Sequence, residues 1–191
     1  IDTPVSENAV TGIGAGASMA GLRAVIIHPR MDFMVYATDQ IVNEISNWNY
    51  MFGGKASPLP MVIRPIINRA GNEGAQHSQA IQAWFAHVPG IKVVMPATPY
   101  DAKGLLVSAI EDNNPVMYID DRWLYDLEGR VPTKIYRVPI GKGAIRTRGK
   151  DITIVGISYM AREAAEAAKE LKKIGISAEV IDVRTVKPLD L

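Results

Sequence analysis

Residues 92–119, KVVMPATPYDAKGLLVSAIEDNNPVMYI, contain a whole strand-helix-strand unit and decide the fold class. Lys92 to Met95 is a short apolar run rich in β-branched residues. Thr98-Pro99 is a helix start, with a hydroxyl to cap the first turn and proline at the first helical position, where a missing N–H costs nothing. The helix is expected to reach about Glu111, Asp112-Asn113-Asn114 to form an Asx turn, and Pro115 to Ile119 to be the next strand.

The same rhythm extends upstream. Ser6 to Met19 has a capping serine, many small residues and Gly21 placed to end it, so it predicts one small-faced helix. Arg23 to Ile27 predicts a strand, closed by His28-Pro29, and Met34 to Met51 a long helix ended by Gly53-Gly54. Met61 to Ile67 is a further apolar strand, followed by a glycine-bearing loop from Asn68 to Ala75 and a helix from about His77 to Ala86. Strands alternating with helices imply an α/β fold, a parallel sheet with helices on both faces.

Asp121 to Pro139 breaks this rhythm with charges, Pro132 and Pro139 and no sustained periodicity. Residues 1–120 are therefore expected to be one domain, 121–139 a linker and 140–191 the first part of a second α/β domain. That second part comprises an irregular hairpin, a strand Ile152 to Ile157, a helix Ala161 to Ile174 with alanines on one face, and a strand Ala178 to Val183. It is too short for a typical domain, so the chain is expected to be a fragment of a longer protein, incomplete at its N-terminus as well.

Composition removes several classes of function. The 191 residues carry 21 basic and 20 acidic side chains, and neither sign forms a run of five or more, which argues against a nucleic-acid or polybasic membrane surface. There is no cysteine, hence no disulfide scaffold, thiolate nucleophile or cysteine-ligated metal, and a reducing cytoplasm is the expected location. No apolar stretch approaches the roughly 20 residues that span a bilayer.

Single motifs are less decisive. Gly12-Ile13-Gly14-Ala15-Gly16 lacks the preceding strand and third glycine of a dinucleotide fingerprint and reads as a helix packed through its small residues. Glu7 opens that helix, where the dipole favours a carboxylate. By position alone it is a first-turn acid. His77 follows the glycine loop at a strand-to-helix junction, a place where α/β proteins put ligands, and by position it reads equally as a site residue or an ordinary one. His28 and His87 have no partner at metal-ligand spacing and read as loop or surface histidines. No Gly-Asp-Gly occurs to bind magnesium and a diphosphate.

Taken together, ordered segments across nearly the whole chain resemble one family, the beta subunit of the decarboxylating component of pyruvate and branched-chain 2-oxo-acid dehydrogenases. The matching stretches are Asp2-Thr3-Pro4-Val5-Ser6-Glu7, Met19-Ala20-Gly21-Leu22-Arg23, Asp39-Gln40-Ile41-Val42-Asn43-Glu44, Gln76-His77-Ser78-Gln79 and Phe85 through Val94. Asp101 to Leu106, Asp112 to Pro115 and Val183-Arg184-Thr185 with Pro188 continue the match in order. Glu7 with Gly12, Gly16 and Gly21 is also similar to the equivalent helix of transketolase.

The resemblance implies that residues 1–120 form a pyrimidine-binding domain for thiamine diphosphate, with 140–191 opening a transketolase C-terminal-like domain. It implies that Glu7 accepts a hydrogen bond from N1′ of the aminopyrimidine and favours the imino tautomer, whose nitrogen then deprotonates the thiazolium carbon. Phe33 would stack on the pyrimidine, Val5 would lie against it, and Tyr36, where the pyruvate enzymes carry glutamine, would complete the cofactor pocket. His77 would orient a substrate carboxylate or carbonyl, or move protons. Mg²⁺ and the diphosphate would be held by a partner chain in a homodimer or heterotetramer. A potassium ion on backbone carbonyls at Met61, Ala109, Asp112 and Asn114 occurs in some members. Two alternatives stand beside oxidative decarboxylation of a 2-oxo acid. One is the C-terminal subunit of a split transketolase, moving two-carbon ketol units between sugar phosphates; the other is a non-catalytic assembly module on the same fold. The loop at 68–76, with Arg69, and Arg64 behind it are expected to bear on the first choice.

Overall fold

A computed structural model describes residues 1–68 and 73–191. Its first sheet contains β1 (Ala24–His28), β2 (Met61–Ile67), β3 (Lys92–Val94) and β4 (Val116–Tyr118), parallel and ordered β1-β2-β4-β3. A two-residue strand β5 (Asp120–Asp121) continues β4's direction and pairs with the end of β2, Ile66 opposite Asp120 and Ile67 opposite Asp121. Such a sheet must be covered on both faces, and the burial of β2 shows it: only Arg64 of its seven residues is not fully buried. One face packs Met31, Met34, Ile41, Ile63, Phe85 and Ile119, and the other Val62, Leu105, Val116 and Tyr118.

Helix α1 (Glu7–Met19) explains its own small residues. A Cβ added at Gly14 would sit 2.6 Å from Cγ1 of Ile26 and 3.1 Å from Cε of Met61, so glycine lets this helix ride close on β1 and β2. Gly21, at φ +96°, ends it in a conformation that glycine adopts without strain. The Ser6 hydroxyl caps nothing, unlike that of Thr98, which accepts from the N–H of Asp101 at the start of α5 (Pro99–Glu111). The Asx turn after α5 closes as expected, Asn114 N–H donating to Asp112 Oδ1 at 2.9 Å.

Two expected helices differ. In place of one helix over 34–51 there is α2 (Met31–Met34), a 3₁₀ turn at Val35–Ala37, a π-helical stretch Gln40–Ile45 and α3 (Trp48–Met51). Hydroxyls of Thr38 and Ser46 donate back to the carbonyls of Val35 and Val42, a pattern that bends helices. The helix expected from His77 begins only at α4 (Gln82–His87), after a 3₁₀ turn at Ala75–His77. The N–H of Gln79 is spent on Asp32 Oδ1 at 3.0 Å, which ties this stretch to α2 instead of to a helix of its own.

The second unit holds β6 (Ala144–Thr147), β7 (Ile152–Gly156), α6 (Tyr159–Lys173) and β8 (Ala178–Asp182), with Ala161, Ala164 and Ala168 buried as the alanine face expected of that helix. Its strand order is β6-β8-β7, so the expected hairpin is not formed: β6 pairs antiparallel with β8. Gly149 crosses so near the start of β8 that a Cβ there would lie 2.1 Å from the carbonyl carbon of Ala178, and Lys150 and Asp151 both donate to the Ser177 carbonyl. The chain therefore passes over β8 and pairs β7 on its far side.

The units are joined beyond the connecting stretch. Strand β9 (Thr185–Lys187) leaves the second unit and runs antiparallel on β3, adding an edge strand to an otherwise parallel sheet. Between the units lies a buried ion network: Arg146 bonds both Asp101 and Asp182, and Arg184 Nη1 donates to Asp101 Oδ1 at 3.0 Å, with both carboxylates fully buried. Burial pushes Asp101 up, but the Thr98 hydroxyl and the two guanidiniums outweigh it and hold its carboxyl below the usual range, while burial keeps that of Asp182 above it. Among the described residues no helix is long and apolar enough to cross a membrane.

Candidate active site

Parallel strands bring their carboxyl ends to one edge, where the following loops converge. Here His28 ends β1 with Arg30 just beyond it, Asn68 follows β2, and Arg122 follows β5. Helix α1 brings its first turn, with Glu7, toward the end of β1, and α2 carries Asp32 and Phe33.

The Thr11 hydroxyl donates to the Glu7 carbonyl at 2.7 Å and lies 3.1 Å from Nε2 of His28. Since the one hydroxyl proton is committed, Nε2 must donate to Thr11, which assigns the tautomer of His28 from the network. Burial lowers the His28 pKa to about 4, against the opposing charge of Glu7, so the ring is neutral at pH 7. The loop or surface reading of His28 is thus overturned, because its ring is 2% exposed and locks the first turn of α1 to the end of β1.

Phe33 and His77, far apart in sequence, meet edge to face with ring centroids 5.1 Å apart. His77 is half-buried, and its Nδ1 is enclosed without a hydrogen-bond partner among the described residues, as is Oδ2 of Asp32. Enclosed polar atoms without a protein partner are few in folded proteins and are met by an ordered water, an ion or a ligand. Glu7 is half-buried on its helix turn. Val5 and Tyr36 are 94% and 74% exposed, so neither is engaged by the rest of the chain. Residues 69–72, with Arg69 in the loop expected to bear on substrate choice, lie outside the described residues.

Several polar side chains at this edge are not singled out by sequence. Glu73 accepts from Arg30 (Nη2 2.8 Å, Nε 3.2 Å) and from Asn68 Nδ2 at 2.6 Å, and the Arg30 hydrogen bond holds its carboxyl below the usual range. Only the strand ends reveal them, because Arg30, Asn68 and Arg122 each stand just past a strand of the parallel sheet.

Away from this edge, the guanidinium of Arg23 donates to the carbonyls of Ile110 and Asp112 and to Asn113 Oδ1. One of the carbonyls expected for potassium is therefore already engaged by a cation. Among the described residues no cluster of three or more His, Asp or Glu could hold a metal ion. A cavity of about 850 Å³ lined by Trp48, Pro58, Gly90 and Asn113 opens at the amino ends of the strands, and none of Glu7, His28, Asp32, Phe33 and His77 lines it.

Residues 1–126 match the family model described as transketolase, pyrimidine binding domain, and residues 141–191 that described as transketolase, C-terminal domain. The beta subunit of acetoin:2,6-dichlorophenolindophenol oxidoreductase of Cupriavidus necator is 47% identical over 191 residues, covering 100% of this chain and 56% of its own length. The mitochondrial pyruvate dehydrogenase E1 beta subunit of Dictyostelium discoideum is 46% identical, covering 100% and 54%. The 2-oxoisovalerate dehydrogenase beta subunit of Bacillus subtilis is 41% identical, covering 100% and 58%. The chain thus spans about half the length of the curated relatives it matches. Among solved structures, a split gene transketolase, an inactive beta4 tetramer, superposes with a TM-score of 0.80 at 28% identity, covering 100% of this chain and 58% of that one.

Proposed function

Because the chain belongs to the family of transketolase pyrimidine-binding domains, we propose that it holds the aminopyrimidine of thiamine diphosphate and activates it for oxidative decarboxylation of a 2-oxo acid, as the beta-type part of a two-component cytoplasmic enzyme. The observation that carries this reading is one edge of the sheet bearing a first-turn carboxylate, Glu7, and the edge-to-face pair Phe33 and His77. Identities of 41–46% to pyruvate and 2-oxoisovalerate dehydrogenase beta subunits and 47% to an acetoin oxidoreductase beta subunit, against 28% to the split transketolase, favour an oxidoreductase reading over ketol transfer.

The residues fit an aminopyrimidine. In its protonated or imino form a ring nitrogen of that base donates to an acceptor, its face needs an aromatic or apolar wall, and its amino edge hydrogen-bonding groups; Glu7, Phe33 with Val5 and Tyr36, and the unpartnered Nδ1 of His77 and Oδ2 of Asp32 offer these. When bound, thiamine diphosphate supplies a nucleophilic carbon that adds to a substrate carbonyl. Glu7 would share a proton with the pyrimidine ring, and His28, neutral and bonded to Thr11, would fix the turn from which Glu7 acts. His77 would orient the carbonyl or carboxylate and move a proton through Nδ1. Mg²⁺ and the diphosphate would sit on a partner chain, in a homodimer or a heterotetramer. Residues 1–120 form the pyrimidine-binding domain in this reading, 121–139 the linker, and 140–191 the start of a C-terminal domain.

The test is Glu7→Gln in the full-length protein assembled with its partner. It keeps size and hydrogen bonding but not the shared proton, so exchange of the thiazolium proton for deuterium should slow by about 10²–10⁴-fold while cofactor affinity falls far less. Unchanged exchange would remove Glu7 from catalysis; equal loss of exchange and affinity would make it an anchor only.

A further inference from the structure

Asn68 and Arg122 each follow the last paired residues of β2 and β5, where Ile67 stands opposite Asp121, and Arg122 opens a 3₁₀ turn there. Arg30 lies past the end of the neighbouring β1, so three successive parallel strands present a nitrogen-bearing side chain at their carboxyl ends. The three are not equally satisfied. Arg30 and Asn68 both donate to the carboxylate of Glu73, whereas Nε of Arg122 is enclosed with no partner among the described residues, as are Oδ1 of Asn68 and Nδ1 of His77. Arg122 is near enough to Glu73 for its charge to help lower that carboxyl, and so is His77.

A carboxylate is thus already bound here, and it belongs to the protein. The guanidinium of Arg30 holds that anion while Arg122 acts on it only through its charge. A buried guanidinium nitrogen left without an acceptor costs free energy that an incoming oxyanion would recover. A planar fork of N–H donors suits a carboxylate or a phosphate, and a neutral acyloin offers no charge to it.

We propose that Arg30, Asn68 and Arg122 form an oxyanion subsite beside Phe33 and His77 that takes the carboxylate or phosphate of the substrate, with Glu73 occupying it in the free protein. The inference deepens the reading above and rests on it for the position of the reacting carbonyl. Arg122 acts as the specificity-determining cation, drawing acids or phosphorylated substrates over neutral acyloins such as acetoin. Glu73 competes as an internal carboxylate that the substrate displaces, so its removal strengthens binding while removal of Arg122 weakens it.

The experiment is calorimetric titration of the full-length protein, assembled with its partner and thiamine diphosphate, with malonate and with inorganic phosphate. Neither probe carries the 2-oxo group that the proposed decarboxylation requires. Losing one charge-assisted donor should weaken oxyanion binding about tenfold or more in Arg122→Gln; Arg122→Lys, which keeps the charge but not the fork, should recover only part of it, and Glu73→Gln should tighten it severalfold. Preference for malonate assigns a carboxylate to the subsite, and preference for phosphate a phosphoryl group. Binding of neither probe by wild type, loss of less than twofold in Arg122→Gln, or Glu73→Gln weakening binding as much as Arg122→Gln would each overturn the proposal. KM values for pyruvate, fructose 6-phosphate and acetoin separate this from the broader reading. A larger rise for the two anions than for acetoin in Arg122→Gln supports the subsite. Arg122-dependent malonate binding in an assembly that turns over none of the three would leave the subsite standing and refute the proposed activity.

Discussion

Two glycines on one helix should respond to the same substitution with opposite signs. At Gly14 an added Cβ would lie 2.6 Å from Cγ1 and 2.7 Å from Cδ1 of Ile26, and at Gly16 it would meet nothing within 4 Å. Replacing glycine by alanine inside a helix is worth about 1 kcal/mol in propensity, and this gain is common to both sites. At Gly14 it is opposed by overpacking of about 1–3 kcal/mol, because Cγ1 of Ile26 is held by the strand and cannot swing away as a side-chain tip would. Gly14→Ala should therefore lose about 1 kcal/mol net and Gly16→Ala gain about as much, shifts of roughly 2–4 °C each way in a chain of this size. Helix α1 also carries Glu7, and in the role proposed for that carboxylate, pushing the helix off β1 should slow catalysis beyond the stability loss. Thermal unfolding of both variants, together with Gly14→Ala/Ile26→Ala, checks the cause: removing Cγ1 and Cδ1 relieves the clash, so the double variant should lose less than the sum of the singles. Shifts of the same sign in Gly14→Ala and Gly16→Ala would refute the close-approach account.

Two further outcomes are expected. With His28 lowered to about 4 in the fold and near 6.5 unfolded, the unfolded chain binds more protons between those values, so stability rises with pH from about 4 to 6.5 and is level above. His28→Gln should flatten that slope in urea titrations across the same window. Asp101→Asn leaves Arg146 paired with Asp182 alone and the Arg184 guanidinium with only the carbonyls of Lys142 and Gly143, and breaking such a buried network should cost about 3–5 kcal/mol in chemical denaturation. An Asp101→Asn variant as stable as wild type would show that the network adds nothing net.

What can be read from the sequence follows the range of each interaction. The bounds of β2 and α5 are legible because an unbroken apolar run and a Thr-Pro start are local signals. The edge bearing Glu7 is legible through the small-residue helix that precedes a strand. The late start of α4 is not, since the decisive bond joins Gln79 to Asp32, 47 residues away. Nor is the pairing of β6 with β8, where the sequence suggests an irregular hairpin ahead of β7, which Gly149 permits by its approach to Ala178. His28 reads as a loop residue because only Thr11, on another element, shows it to be buried. Arg122 escapes notice for a similar reason: its place beside Asn68 exists only once β5 has found β2.

Strand β9 has a consequence for how the chain is made. It covers an edge of the first sheet with residues synthesised some 90 positions after β3, Val94 pairing with Thr185. Until Thr185 leaves the ribosome, the N–H and C=O groups of β3 face outward, and an open sheet edge recruits strands from other molecules. Closing a contact of such separation is also slow, so that exposure lasts. Cells making this protein in quantity should need a chaperone to shield β3, and any shortened form that stops before β9 should aggregate through that edge even where the first sheet has otherwise folded.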